Sequence, residues 1–284
     1  MENMAQPEQV ERGPFFEAHC HWQDPVLVRT RKTWRKEVFP GCAGRIVVNG
    51  TSPGDWSGVE DWVAREKEVI PFFGLHPWSV DQYRESDWES RLGGLLDRYP
   101  TAGVGEIGLD KWKRGLSWEA QCAAFAKQWI LAVDKGRPLT VHCLQAFGHL
   151  QKQLGELPAA KKGFLLHAYS GPEELIPYFF EAGAYFSFSP YFCQEGKKEI
   201  RDRYGKIPAD RLLVETDAPH MSPGPEDDPR GLRDEVTGQL LNHPANLDLA
   251  LKGLAEIRGW TLEETRRRTW ENGHRWLDLT PAIP

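Results

Sequence analysis

The stretch Phe15-Phe16-Glu17-Ala18-His19-Cys20-His21 reads as a short buried strand that ends in two histidines spaced i, i+2. Residues two apart on a strand project to the same side, so His19 and His21 can reach one point. Two neutral imidazoles aimed at one point make half of a metal site. An isolated His-x-His pair is more often two satisfied polar residues at a strand terminus. What decides between these readings is the rest of the chain, where further strand-like segments also end in residues able to ligate a metal.

Apolar, β-rich segments recur at 44–50, 69–76, 102–108, 138–142, 163–167, 184–189 and 211–217. Their near-continuous hydrophobicity suits strands buried on both faces, as in parallel sheets. Between them, 55–68, 79–98, 117–135 and 172–182 mix apolar and charged residues at helical spacing. Thr261-Leu262-Glu263-Glu264 is a capping box that opens a helix toward Leu277. Eight strands alternating with helices in a chain of 284 residues predict an α/β fold, a TIM-type (β/α)8 barrel. An open doubly wound sheet is the rival, but no G-x-G-x-x-G or Walker A sequence supports a nucleotide fold of that kind. Residues 14–284 read as a single domain preceded by a polar, acidic tail, 1–13, expected to be disordered. The Pro/Gly-rich segment 218–233 reads as a long loop on the active face.

The formal charge of −6 argues against a general nucleic-acid coat protein. It leaves room for an enzyme with a local basic groove, where metal ions add positive charge. No apolar run approaches the ~20 residues that span a bilayer, and the first 13 residues lack an apolar signal core. A cytoplasmic protein without a membrane partner is expected. The five cysteines form no C-x-x-C pair and no framework spacing, which fits reduced thiols in the core better than ligands.

The ionisable residues line up with the strands. His19 and His21 end the first, Glu106 the fourth, His142 the fifth, His167 the sixth and Asp217 the eighth. A barrel would bring all six to its C-terminal mouth, where barrel enzymes keep their active sites. Four imidazoles and two carboxylates suit Zn²⁺ or Mn²⁺ better than an all-oxygen Mg²⁺ cage. Six ligands exceed the roughly three protein ligands of one open catalytic ion, whereas two ions about 3.5–4 Å apart would use them all. The cofactor expectation is two divalent ions (Zn²⁺, Mn²⁺ or Mg²⁺), with Glu106 as the bridging candidate.

The sequence resembles the TatD family of metal-dependent hydrolases, within the amidohydrolase-like superfamily. The resemblance is carried by His19-Cys20-His21, Gly74-Leu75-His76-Pro77 and Gly103-Val104-Gly105-Glu106-Ile107-Gly108-Leu109-Asp110. Val141-His142-Cys143, Leu166-His167-Ala168-Tyr169-Ser170-Gly171 and Leu213-Val214-Glu215-Thr216-Asp217-Ala218-Pro219 continue it in order, and Asn242-His243-Pro244 resembles a downstream Asn-x-Pro segment. It implies a barrel with metal-dependent hydrolysis and deoxyribonuclease activity among members. It assigns His19, His21 and Glu106 to one ion and Glu106, His142 and His167 to the other. Asp217 resembles a strand-8 aspartate that is a ligand and a base for the attacking water, so Asp217 and Glu106 are the catalytic expectations. The chain departs from the family pattern at Glu17 (usually Asp), Lys111 (an aromatic), Ser189-Pro190 (Ser-Gly), His220 (Tyr) and His243 (Glu).

Around this centre, His76, Lys111 and Trp112 are candidate substrate contacts. Arg29, Arg31, Lys32, Arg35 and Lys36 with Trp34, and Lys111, Lys113 and Arg114 with Trp112, combine cations with indoles, as single-stranded nucleic-acid binders do. A solvated basic face with packing tryptophans explains them equally well. Lys197, Lys198, Arg201 and Arg203 read as an ordinary charged helix face. The expected function is a phosphodiesterase acting on DNA, single-stranded or at ends, as a monomer. The alternatives are an amidohydrolase or lactonase with a carbonyl substrate, or a binding protein with a dead site. A carboxylated lysine often bridges the ions in the carbonyl-acting relatives, and no strand-end lysine competes with Glu106 here.

Overall fold

The computed structural model describes residues 14–38 and 44–279. The 1–13 tail, Cys42 and the last five residues of the expected domain lie outside the described residues. Eight parallel strands follow one another in sheet order as they do in sequence: β1 Phe15–Cys20, β2 Gly44–Asn49, β3 Val69–Phe73, β4 Gly103–Asp110, β5 Leu139–Leu144, β6 Phe164–Leu166, β7 Ala184–Phe188 and β8 Leu212–Val214. The barrel closes between β8 and β1 just past the strand ends, where Asp217 N–H donates to His19 O (3.0 Å) and His21 N–H to Ala218 O (2.8 Å). The (β/α)8 expectation holds.

Helices α1 Pro25–Val38, α2 Trp56–Arg65, α3 Trp88–Arg98, α4 Trp118–Asp134, α5 Phe147–Glu156, α6 Ile176–Glu181, α7 Lys198–Tyr204, α8 Leu247–Arg258 and α9 Leu262–Leu277 surround the sheet. The capping box forms as expected, Thr261 Oγ1 accepting from Glu264 N–H at 3.1 Å. The predicted helix at 79–98 starts only at Trp88. Before it, turns run from His76 to Ser86, and Asp81 accepts the Ser117 N–H and pairs with Arg84. Such local side-chain bonds offer the backbone an alternative to the helix ladder. In α1 a run of Arg and Lys hides a sparse apolar stripe, Val26, Leu27, Trp34 and Val38, all buried. Among the described residues no helix is long and apolar enough to cross a membrane.

The barrel interior is apolar below and polar above. Phe16, Val47, Phe72, Leu165 and Leu213 fill the lower part, and Trp276 of α9 plugs the floor with its ring 5.6 Å from Phe72 and 6.5 Å from Phe16. Burying a large apolar side chain contributes roughly 1.5–3 kcal/mol, so this floor holds the strands in place under the mouth.

Two strands carry one extra residue. Between the pairs Glu17↔Ile46 and Cys20↔Val48, β1 sets Ala18 and His19 against the single residue Val47. Between Val104↔Leu139 and Ile107↔Val141, β4 sets Gly105 and Glu106 against Thr140. A bulge shifts the inward–outward alternation by one residue. Phe16 and Ala18 therefore line the interior below the first bulge and His19 and His21 above it. Cys20 points to the outer layer, its thiol toward Val47 O.

Candidate metal centre

The sequence puts Glu106 and His142 at strand ends; in the structure both lie inside their strands. β4 runs on to Asp110 because Ile107, Gly108, Leu109 and Asp110 keep pairing with Val141 to Leu144. Side-chain size permits this close pairing at two glycines. A Cβ on Gly108 would lie 1.9 Å from His142 O, and one on Gly74 would lie 2.7 Å from Glu106 O. The bulge then aims the Glu106 carboxylate into the barrel, where it is 3% exposed.

The two Glu106 oxygens face different partners. Oε2 lies 3.5 Å from His19 Nε2 and 3.3 Å from His21 Nε2. Asp217 Oδ1 lies 3.3 and 3.2 Å from the same two nitrogens, which are 3.1 Å from each other. Oε1 lies 3.1 Å from His142 Nδ1 and 2.9 Å from His167 Nε2, and those nitrogens are 3.2 Å apart. Ligand atoms held tetrahedrally at ~2.0–2.1 Å from an ion lie about 3.3 Å from one another, so both groups have the spacing of a coordination shell.

Hydrogen bonds at the far side of the rings set which nitrogen carries the proton. His21 Nδ1 is 2.8 Å from Asn49 O, and His142 Nε2 is 2.9 Å from Asp110 Oδ2. His167 Nδ1 makes no hydrogen bond but has the Glu215 carboxylate 3.5 Å away, where its charge favours a proton on that nitrogen; Glu215 is itself held by the Ser187 hydroxyl. Protons placed on these outward nitrogens leave the inward lone pairs free, the arrangement metal-ligating imidazoles use. Asp217 Oδ1 is buried and receives no hydrogen bond. Lone pairs and carboxylate charge converging without donors fit divalent cations. Groups of His19, His21 and Asp217 and of His19, Glu106 and His167 could each hold an ion.

The carboxylates and imidazoles of the centre also shift one another. Burial alone would push Glu106 upward, yet His76, His167 and His19 outweigh it and hold its carboxyl well below the usual range. For His21, burial acts downward and is overcome by Asp217 and Glu106, which raise it well above an ordinary imidazole. Burial also acts upward on Asp110. The His142 and Lys113 N–H groups and the Trp78 indole prevail, bringing it down to about 2.

His76 is arranged the other way round. Its Nδ1 accepts the Trp78 backbone N–H at 3.1 Å, which leaves the ring proton on Nε2, 3.4 Å from Glu106 Oε1. Burial presses it down to about 4, so the ring stays neutral. Here the imidazole presents a donor, not a lone pair. Lys111 turns away from the cluster, its ammonium 2.6 Å from His149 Nε2 and over the Trp118 ring. Trp112 stands 56% exposed beside Trp78.

The departures from the family pattern have local accounts. Glu17, buried, accepts the Thr216 N–H (2.9 Å) and the His19 N–H (3.3 Å), tying the β1 bulge to the strand-8 end. His243 Nδ1 accepts the Ala245 N–H and caps a single 3-10 turn, Pro244–Asn246; burial takes it down to about 4. Ser189 caps the turn Pro190–Cys193 in the same way. The His220 ring lies 5.6 Å from His21. Sequence reasoning assigned no role to Asp110 or Glu215, the partners of His142 and His167. Their signal was there: each is a second carboxylate close to a candidate ligand, four residues after Glu106 and two before Asp217.

The family model described as TatD related DNase matches residues 16–278. The chain is 30% identical over 257 residues to the 3'-5' ssDNA/RNA exonuclease TatD of Enterobacter lignolyticus, covering 88% of this chain and 95% of that protein. It is also 30% identical over 227 residues to the enzyme of the same name from Escherichia coli, 78% of this chain and 83% of that one. Among solved structures, a TatD homolog from Escherichia coli superposes with a TM-score of 0.82 at 22% identity, covering 94% of this chain and 98% of that one. A hydrolase TatD family protein from Entamoeba histolytica gives 0.80 at 17%, with the same coverage. With the match running from the first strand to the last helix, the chain belongs to the TatD-related DNases.

Proposed function

We propose that this protein is a metal-dependent phosphodiesterase that cleaves single-stranded DNA, or DNA at its ends, with water as nucleophile. The observation that carries the reading is the division of Glu106 between two imidazole groups, one oxygen to each. A carboxylate so placed can bridge two ions, with His19, His21 and Asp217 completing one shell and His142 and His167 the other. The relatives' names, exonucleases of single-stranded DNA and RNA, support a nucleic-acid substrate.

Two divalent ions held there would lower the pKa of a water and counter charge on the phosphate. Asp217 orients that water and takes its proton as the new P–O bond forms and the bond to the leaving oxygen breaks. Its left-handed backbone (φ 57°), an uncommon conformation that Asp tolerates, is held by its N–H to His19 O and by its C=O accepting the His220 N–H (2.7 Å). His76 Nε2–H donates toward a non-bridging phosphate oxygen, where charge builds in the transition state. Asp110 keeps the His142 lone pair turned inward by its hydrogen bond, and the Glu215 charge favours the same tautomer in His167.

The test is hydrolysis of single-stranded DNA by metal-stripped protein with Mg²⁺, Mn²⁺ or Zn²⁺ restored, beside Glu106→Ala to exclude a contaminating nuclease. Metal-restored cleavage that drops by orders of magnitude in Glu106→Ala is the expected result. A variant that binds metal and turns over near the wild-type rate would refute the Glu106 assignment. No cleavage of DNA by wild-type protein with any bound ion would move the substrate to a carbonyl or small phosphoester.

A further inference from the structure

Two tryptophans stand in the open beside the centre. Trp78 follows His76 and Trp112 follows Asp110, and they are 40% and 56% exposed. Their rings lie 6.2 Å apart and 28° from parallel, an offset stack. A purely packing role would bury such rings; Trp112 instead is more than half exposed. Trp78 is held through its indole and its backbone, and Trp112 through its backbone. Trp78 Nε1–H donates to Asp110 Oδ2 (2.7 Å), its backbone N–H is bound to His76, and the Trp112 N–H donates to Asp110 Oδ1 (2.7 Å). Lys113, whose N–H shares that oxygen at 2.8 Å, lays its ammonium 4.2 Å from the Trp78 ring, and Arg114 is exposed next to it.

Position ties this platform to the chemistry. The Trp78 ring lies 5.2 Å from His76 and 6.3 Å from His142, and the Asp110 oxygen that receives its indole also faces His142 Nε2. We propose that Trp112, backed by Trp78, is a stacking subsite for the base of the nucleotide next to the scissile phosphate, with Lys113 and Arg114 taking the flanking phosphate. This deepens the nuclease reading and rests on it. Aromatic faces bind any base, and a tryptophan has few rotatable bonds to lose on binding. An internal duplex base has both faces covered by its neighbours, so only an unpaired strand or a terminal base can lie on Trp112. The subsite therefore selects single strands and ends.

The first measurement is indole fluorescence of metal-free protein titrated with oligothymidylate, with an abasic oligonucleotide of equal length and with a blunt duplex. We expect saturable quenching by oligothymidylate, roughly tenfold weaker binding of the abasic strand, loss of the difference in Trp112→Ala and its return in Trp112→Tyr. Equal affinity for the thymidine and abasic strands would overturn the stacking subsite. The second measurement is the ratio of kcat/KM for oligothymidylate to that for an abasic dinucleoside phosphate, a small ester with no aromatic ring to stack. Trp112→Ala should lower this ratio about tenfold through KM, whereas a general structural defect lowers both values and leaves the ratio alone. If wild-type protein cleaves DNA and the ratio is unmoved in Trp112→Ala, the subsite falls and the nuclease reading stands. If wild-type protein hydrolyses the small ester in a metal-dependent way but neither binds nor cleaves DNA, both fall together.

Discussion

The basic, tryptophan-bearing stretch of α1 and the one after β4 look alike in sequence and do different things in the fold. In α1, Trp34 is fully buried against Trp22 and Trp62, with ring distances of 5.0 and 5.7 Å, and its indole N–H donates to Leu27 O. Arg31 and Arg35 converge on Glu66, and Arg31 also lies over the Trp62 ring. After β4, Trp112 is exposed and the Asp110 carboxylate holds the turn by its backbone amides. A continuous helix rotates its residues through 3.6-residue turns, so one face must meet the core. A turn pinned by a carboxylate releases successive side chains in separate directions. Composition cannot distinguish the two; backbone hydrogen bonding does.

The sharpest way to break this contrast is Trp34→Ala. Removing a fully buried indole costs about 3–5 kcal/mol, which should appear as a large drop in the denaturant midpoint. The KM for oligonucleotides, measured on the folded fraction, should not move. A rise in KM with stability preserved would place α1 in the substrate groove and erase the difference between the two stretches.

Asp110→Asn probes the other side, where the tryptophan platform and the centre share one carboxylate. An amide at this position loses the charge that accepts the His142 Nε2–H and frees that ring to turn. Loss of such an outer partner typically weakens metal affinity or activity 10- to 100-fold. Competition with a chelator, followed for each ion added, measures it. Because Asp110 is pressed down to about 2, its charge is present across the neutral range, and the deficit of the variant should be constant from pH 6 to 8. Unchanged metal affinity would show that Asp110 serves the platform alone.

Much of the fold was legible because parallel-barrel strands are apolar throughout and end in polar residues at one mouth. Eight strands and the convergence of His19, His21, Glu106, His142, His167 and Asp217 follow from that pattern. The bulges at Ala18–His19 and Gly105–Glu106 were not legible: an extra residue changes no local composition and shows only in register with β2 and β5. For the same reason Glu106 read as a strand end although four residues of β4 follow it. The tautomer of His76 was hidden as well, since it depends on the backbone N–H of a residue two positions later. Helix α1 was obscured by its own charge, and its long cationic stems cover apolar surface that the sequence makes look solvated.

The smallest expected effect tests whether the α1 cations are structural. Arg35 grips Glu66 with two bonds of 2.7 Å and Arg31 adds one of 2.9 Å. The Arg35 guanidinium foremost holds the Glu66 carboxyl below its usual range. A carboxyl lowered on folding adds stability that is fully present above its unfolded pKa, ~4.3, and is lost as pH falls through the folded value. Arg35 is 43% exposed, so solvent screening limits the worth of the network to about 1 kcal/mol. Glu66→Gln should therefore be destabilised by about that much at pH 7, and the gap to wild type should close as the pH falls below the unfolded carboxylate pKa and narrow in high salt. Urea midpoints at a series of pH values measure the gap. A gap that stays constant with pH would mean the glutamate contributes by packing and not by its charge.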